Sequence, residues 1–272
     1  MAMVLAGLPC VFGGWMGWID SWFETASGFT TTGASILTNV EVLPKSQLFW
    51  RSEIQWLGGM GILLLAIAIL PFLGVGGMEI MKAEVPGTTK DRLVPRVANT
   101  ARILWVIYVG ITVANILAFL FSGMDFLEAT DHAFTTMATG GYSTRNASLA
   151  AFSPAAQWWC TIFMIIAGAN FLLHYRLLYR KDWGIVKDPE LITYLVIILV
   201  VGVFSGTVLM SVQHKELEVA MRHAFFNVVS IMTTTSYAND DFAQWPLFMQ
   251  AILLNLMVIG DQELARLADA AL

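Results

Sequence analysis

The sequence predicts an all-α membrane protein assembled from tandem helix–pore-loop–helix repeats. Two observations carry that prediction. Of the 272 residues, 57% are hydrophobic and 13% charged, and the mean hydropathy is +0.67. That is more apolar and about half as charged as an ordinary soluble domain. In addition, Thr30-Thr31-Thr32-Gly33 has two later counterparts, Ala138-Thr139-Gly140-Gly141-Tyr142 and Thr233-Thr234-Thr235-Ser236-Tyr237, each between apolar segments. Irregular backbone is excluded from hydrocarbon unless protein buries it or it lines a wet cavity. Recurring at intervals of about 100 residues, the loops form an internal repeat.

Taken in order, Met1 to Trp18 is apolar and uncharged, with no basic region of the kind that opens a signal peptide. It reads as part of a span preceding the first loop. Asp20 and Ser21 open the first pore-helix candidate, with Ser21 and Glu24 at capping-box spacing. Pro44 fits a first helical turn, and Leu48 to Leu73 follows as a span. In it Gly58, Gly59 and Gly61 are expected to admit a neighbouring backbone. A polar connector, Met78 to Arg102, leads to the span Ile103 to Phe121. Asp125 to Met137 is the second pore-helix candidate, again with capping-box spacing between Asp125 and Glu128. Pro154 precedes a span from Trp158 to Leu173, and a basic connector leads to the span Leu191 to Met210. Glu216 to Met232 is the third pore helix, and Pro246 starts an apolar run to Gly260. That run would be about 22 Å long at 1.5 Å per residue, short of a hydrocarbon layer of about 30 Å, so its helix is expected to end near the inner interface.

The organisation that results is repeat 1 over 1–76 with an incomplete opening helix, repeat 2 over 77–178, repeat 3 over 179–260 with an incomplete closing helix, and a divergent polar tail over 261–272. Lys82, Lys90, Arg92, Arg96 and Arg102 lie in the first connector, and Arg176, Arg180, Lys181 and Lys187 in the second. Positive-inside bias makes both connectors cytoplasmic and brings the Thr/Gly loops in from outside. Asp20, Glu24, Asp125, Glu128, Asp131, Asp240 and Asp241 flank the loops and are expected to draw cations to the mouth.

Glycine tolerates positive φ and can aim consecutive carbonyls in one direction, where they replace the hydration shell of a permeating ion. The preceding helix turns its partially negative C-terminus toward that ion. Glu24, His132 and Asn227 each stand nine positions before a closing residue and are expected to brace the loops from behind. Net charge −5 gives no footprint for nucleic acid. Cys10 and Cys160 sit apart in apolar stretches and suggest neither a disulfide nor a zinc site. An intramembrane enzyme built on His132, His174, His214 or His223 finds no HExxH, nucleophile elbow or carboxylate pair.

The stretches FETASGFTTTGAS, QWLGGMGILLLA, ATGGYSTRNAS, IIAGANFLLHYRLL, DPE and FFNVVSIMTTTSYANDDFAQWPLF together resemble the TrkH/KtrB/HKT superfamily of potassium transporters, in particular its bacterial TrkH-like branch. The resemblance runs from about residue 10 to about residue 260. It implies four covalently linked repeats around one pore, of which three loops are present here. The implied potassium ligands are carbonyls of Thr31, Thr32 and Gly33, of Thr139, Gly140 and Gly141, and of Thr234, Thr235 and Ser236. It further implies potassium uptake across a bacterial inner membrane, with sodium or protons as coupled or competing ions. A homodimer and a cytoplasmic nucleotide-binding regulatory ring are the implied partners. The chain departs from the family at Ser236, where glycine is usual, and after Gly260, where a glycine-rich gate and a fourth repeat would follow. The rival reading within this frame is a non-conducting truncated fragment.

Overall fold

A computed structural model describes the backbone of residues 2–73 and 90–270. Among these residues the regular structure is helical throughout. The helices are α1 Ala2–Phe12, α2 Trp18–Phe29, α3 Lys45–Leu73, α4 Lys90–Phe121, α5 Phe126–Met137, α6 Pro154–Gly168, α7 Phe171–Leu178, α8 Pro189–Gln213, α9 Leu217–Met232 and α10 Leu247–Ala270. Short 3₁₀ turns at Ser148–Ala151, Trp183–Lys187 and Phe242–Gln244 complete the order.

The long helices carry the apolar surface. Ala101–Phe121 within α4 and all of α8 are long and apolar enough to cross a membrane. Val196, Leu199, Val200 and Val203 on α8 stay exposed, as side chains facing lipid would. The helices α2, α5 and α9, by contrast, are only 12, 12 and 16 residues long. They fit inside the bundle: α5 packs on α3 and α4, and α9 packs on α6, α8 and α10. Ala220, Ala224, Phe226, Val228 and Val229 of α9 are fully buried.

Several helix boundaries differ from the sequence expectation for identifiable reasons. Ser21 is not a cap: α2 begins at Trp18, and Ser21 Oγ donates to Gly7 O at 2.6 Å, tying α2 to α1. Asp125 does occupy the N-cap of α5, but its side chain makes no capping bond, and Glu128 pairs with Arg145 instead. The polar connector is shorter than expected, because α4 is already helical from Lys90. Lys82 lies outside the described residues. The span expected over Trp158 to Leu173 breaks at Ala169, whose ψ of 150° is extended, and the chain restarts as α7. The last helix continues past the apolar run to Ala270, which makes it about 36 Å long. Pro154 and Pro189 open their helices as proline should, with Ser153 and Asp188 accepting from Ala156 N–H and Glu190 N–H.

Glycine sets how closely the spans approach the pore helices. A Cβ on Gly58 would lie 2.3 Å from Phe29 O, and one on Gly260 would lie 2.2 Å from Met232 O. One on Gly59 would meet Ala138 Cα at 2.9 Å, and one on Gly168 would meet Thr233 Cγ2 at 2.5 Å. Gly61, expected to do the same, has nothing within 4 Å of such a Cβ. Gly58→Val should therefore destabilise by about 1–3 kcal/mol, the usual cost of overpacking. Gly61→Ala should be nearly silent. Thermal melting of the purified variants in detergent checks the contrast, and equal melting temperatures would refute it.

Candidate ion-conduction site

Each pore helix ends in the same way. After α2, the N–H of Thr31 bonds to Gly28 O and that of Thr32 to Ser27 O. After α5, Thr139 N–H bonds to Thr136 O and Gly140 N–H to Thr135 O; after α9, Thr234 N–H bonds to Ile231 O and Thr235 N–H to Ser230 O. This is the Schellman pattern, which requires a left-handed residue just past the helix. Glycine normally takes that place, yet here it falls to Thr31, Thr139 and Thr234, with φ of 55°, 51° and 56°. A β-branched residue there costs on the order of 1–3 kcal/mol. Two residues on, φ is positive again at Gly33 (75°), Gly141 (71°) and Ser236 (65°). The residues between, Thr32, Gly140 and Thr235, are not in the positive-φ region. All nine site residues expected from the sequence therefore fall in three loops of one shared backbone conformation.

The loops touch one another. A Cβ on Gly33 would lie 1.9 Å from Gly140 O, and one on Gly141 would lie 1.9 Å from Thr235 O. Loop 1 thus packs on loop 2, and loop 2 on loop 3, by the same contact. On the open side of this row Thr32 and Ser236 are exposed, whereas Gly140 and Thr235 are buried.

Two sets of side chains hold the loops. In the first, Ser27 Oγ donates to Ala34 O at 2.6 Å, Thr135 Oγ1 to Tyr142 O at 2.9 Å, and Ser230 Oγ to Tyr237 O at 2.7 Å. These hydroxyls were not singled out from the sequence, although each stands six positions before its closing residue. The second set is the expected brace, and it takes three chemical forms. Glu24 Oε1 accepts from Ser35 Oγ (2.6 Å) and Ile36 N–H (2.7 Å). His132 Nε2 meets Ser143 Oγ at 2.9 Å, while its Nδ1 lies 2.7 Å from Glu128 O. A carbonyl only accepts, so Nδ1 carries the proton and Nε2 accepts from the serine. Asn227 Nδ2 donates to Asn239 Oδ1 at 2.8 Å. Tyrosines then link neighbouring repeats: Tyr142 OH donates to Glu24 O (3.0 Å), and Tyr237 OH to His132 O (3.2 Å).

The acidic flank is less negative than its composition suggests. Glu24 pairs with Arg51 at 3.0 Å, Glu128 with Arg145 at 2.5 Å, and Asp240 with Lys215 at 2.5 Å. Burial opposes the charge on Asp240, but hydrogen bonds from His223, Lys215 and Trp245 outweigh it and hold the carboxyl below the usual carboxylate range. Asp20, Asp125 and Asp241 are exposed and make no ion pair among the described residues. The expectation that Asp240 steers cations is corrected accordingly: its charge is spent locally. His174, His214 and His223 do not converge with His132, and no metal-binding cluster occurs among the described residues.

Residues 12–263 match the family model for TrkH, described as a cation transport protein. The chain is 44% identical over 246 residues to the Trk system potassium uptake protein TrkH of Escherichia coli K12, covering 89% of this chain and 51% of that protein. It is 40% identical over 244 residues to the TrkH of Halomonas elongata. The crystal structure of the potassium transporter TrkH from Vibrio parahaemolyticus superposes with a TM-score of 0.81 at 35% identity, covering 93% of this chain and 53% of that one. The chain thus spans about half the length of the curated relatives it matches. It is a helical membrane protein that belongs to the TrkH family of cation transport proteins.

Proposed function

We propose that this chain supplies three quarters of a potassium uptake pore in a bacterial inner membrane. The observation that carries the reading is the repeated alternation of positive φ at the first and third residues of all three loops, with adjacent loops in contact. Backbone that alternates in hand turns successive carbonyls toward one side of the strand. The ligands are then the carbonyls of Thr31, Thr32 and Gly33, of Thr139, Gly140 and Gly141, and of Thr234, Thr235 and Ser236, which take over from the ion's hydration shell. The pore helices leave partially negative ends behind these loops, and the hydroxyls of Ser27, Thr135 and Ser230 fix where each loop turns outward. Relatives named as potassium uptake proteins support potassium as the cargo. Sodium or protons act as coupled or competing ions. The connectors between repeats face the cytoplasm, where a nucleotide-binding ring docks, and the complete protein works as a homodimer.

Ser236 bears on selectivity through geometry. Glycine is required at 33 and 141 because the next loop's carbonyl occupies the place of a Cβ. The same relation carries the Ser236 Cβ to where the next carbonyl of a closed ring would lie. A fourth loop at the same spacing cannot fit against it without shifting outward. Serine at φ 65° also costs on the order of 1–2 kcal/mol relative to glycine. In a chain completed by a fourth repeat, Ser236→Gly should raise the potassium-to-sodium uptake ratio by up to about tenfold. An unchanged or lower ratio would show that the loop already closes around serine.

The chain by itself should take up no potassium or rubidium selectively. Three loops leave the fourth side open to lipid or to a wide wet gap, and neither replaces a hydration shell. Rubidium uptake into liposomes, with and without a co-expressed fourth repeat, checks this. Selective uptake by the 272 residues alone would overturn it. No uptake in either arm would favour the non-conducting fragment.

A further inference from the structure

The three loops share a backbone but differ in what fills the space behind their middle residue. In the first, Thr32 Oγ1 folds back to Thr30 Oγ1 at 2.8 Å; in the third, Thr235 Oγ1 folds back to Thr233 Oγ1 at 2.7 Å. The second loop has Ala138 and Gly140 at these two places and cannot form that bond. Gln55 of α3 stands there instead. A Cβ on Gly140 would lie 2.1 Å from Gln55 Cδ, 2.3 Å from Nε2 and 2.5 Å from Cγ. The carboxamide therefore occupies the volume that a threonine side chain takes in the other two loops.

Its orientation is settled by its partner. Gln55 is 0% exposed, and its Oε1 accepts the Tyr142 N–H at 3.2 Å. Only the oxygen end of an amide accepts, so Nε2 is directed the other way. That nitrogen has no hydrogen-bond partner among the described residues, and it lies 3.9 Å from the place of a Gly33 Cβ. An undonated buried N–H group thus sits at the seam between loops 1 and 2. Gly58 and Gly260 meet the last carbonyl of their own pore helices, and Gly59 and Gly168 meet the first residue of the next loop. These contacts align Gln55 with Met164 and Met257, so the amide is peculiar to this seam. Met164, behind the third loop, is as fully buried as Gln55.

We propose that Gln55 is a positioning residue that determines ion specificity in the second quarter of the filter. It substitutes for the missing threonine side chain, holds Tyr142 through its oxygen, and presents a donor beside the carbonyls of Gly140 and its neighbours. Carbonyl oxygens are the acceptors at this seam, so the donor biases how the second loop's peptide planes turn. The proposal rests on the pore reading above.

A double-mutant cycle tests it. Gly140→Thr, Gln55→Met and the double variant are made, the double reproducing the Met164–Thr235 arrangement of the next seam. Melting temperatures are read on the purified chain in detergent. Rubidium-over-sodium uptake is read after completion by a fourth repeat. Gly140→Thr alone should lower the melting temperature, and Gln55→Met in the same chain should restore most of it. Gln55→Met alone, nearly equal in volume but leaving the buried Tyr142 N–H without its acceptor, should lower the melting temperature less than Gly140→Thr does, while lowering the rubidium-to-sodium ratio about tenfold. The double variant should return the ratio to within about threefold of the parent. Equal destabilisation by Gly140→Thr with and without Gln55→Met would refute the substitution of amide for threonine. An unchanged ratio in Gln55→Met would reduce Gln55 to packing. Absence of uptake in the completed parent would remove the pore reading, and the specificity role with it, while the melting cycle would still decide what Gln55 replaces.

Discussion

The structure depends on one constraint: backbone that leaves a helix at membrane depth must find its hydrogen bonds within the protein. Each pore helix meets it by folding the loop back onto its own last turn. The Schellman bonds consume the first free N–H groups, and a hydroxyl six positions before the closing residue donates to the carbonyl just after it. Among the described residues, the run of carbonyls between remains uncommitted. The cost is left-handed threonine at three places, on the order of 1–3 kcal/mol each. The surrounding packing has to over-determine the loops for that strain to persist. Glycines at 58, 59, 168 and 260 supply the means, by letting spans press directly on the pore-helix ends and loops.

The braces behind the loops show how a repeat can keep a role while changing its chemistry. Glu24, His132 and Asn227 occupy one place and each reaches the strand that leaves the loop. A buried carboxylate needs a counter-charge, and Arg51 supplies it, with both side chains almost wholly enclosed. The guanidinium also lies 4.2 Å from the centre of the Tyr142 ring, whose hydroxyl returns to Glu24 O. The first and second repeats are therefore joined through an ion pair, a cation–π contact and a hydrogen bond. The second and third are joined at the equivalent place by Tyr237 OH donating to His132 O, and further out by Arg222 and Asn239 donating to Gln157 Oε1. A histidine donating to a carbonyl and accepting from a serine needs no counter-ion; the cation at that seam, Arg222, pairs with Glu218 and donates to Gln157 instead.

Much of this was legible in the sequence because the signals were local or periodic. Hydropathy exposes the spans, and the recurrence of Thr/Gly loops places the nine site residues in three equivalent turns. The polar residue nine positions before the closing residue of each loop marks the brace. What escaped depended on tertiary contact. The spacing of Ser21 and Glu24 suits a capping box, but Glu24 is drawn to Arg51 and Ser35, and Ser21 to α1. Asp240 reads as a free surface charge until the fold brings Lys215 and His223 to it. The helix break at Ala169 has no proline to announce it. The hydroxyls at 27, 135 and 230 were visible in the letters, but serine and threonine are common near helix ends, so only the bonds they make give them a role.

Because the repeats are covalently joined, each seam can differ without disturbing the others, and here each of them does. The second loop, with no threonine at 138 or 140, is filled by Gln55, the position equivalent to Gln55 in the next repeat holds the buried Met164, and the edge beyond the third loop presents Ser236. A homotetrameric pore cannot do this, since one substitution changes all four quarters at once. In a single chain each seam is set separately, by the side chain that backs its loop and by whether the closing residue leaves room for the next strand. Gly33 and Gly141 leave that room because a Cβ would fall 1.9 Å from a carbonyl oxygen. Ser236, at the equivalent place with φ 65°, carries a Cβ there, so the contact that joins loop 1 to loop 2 and loop 2 to loop 3 cannot repeat unchanged beyond the third loop.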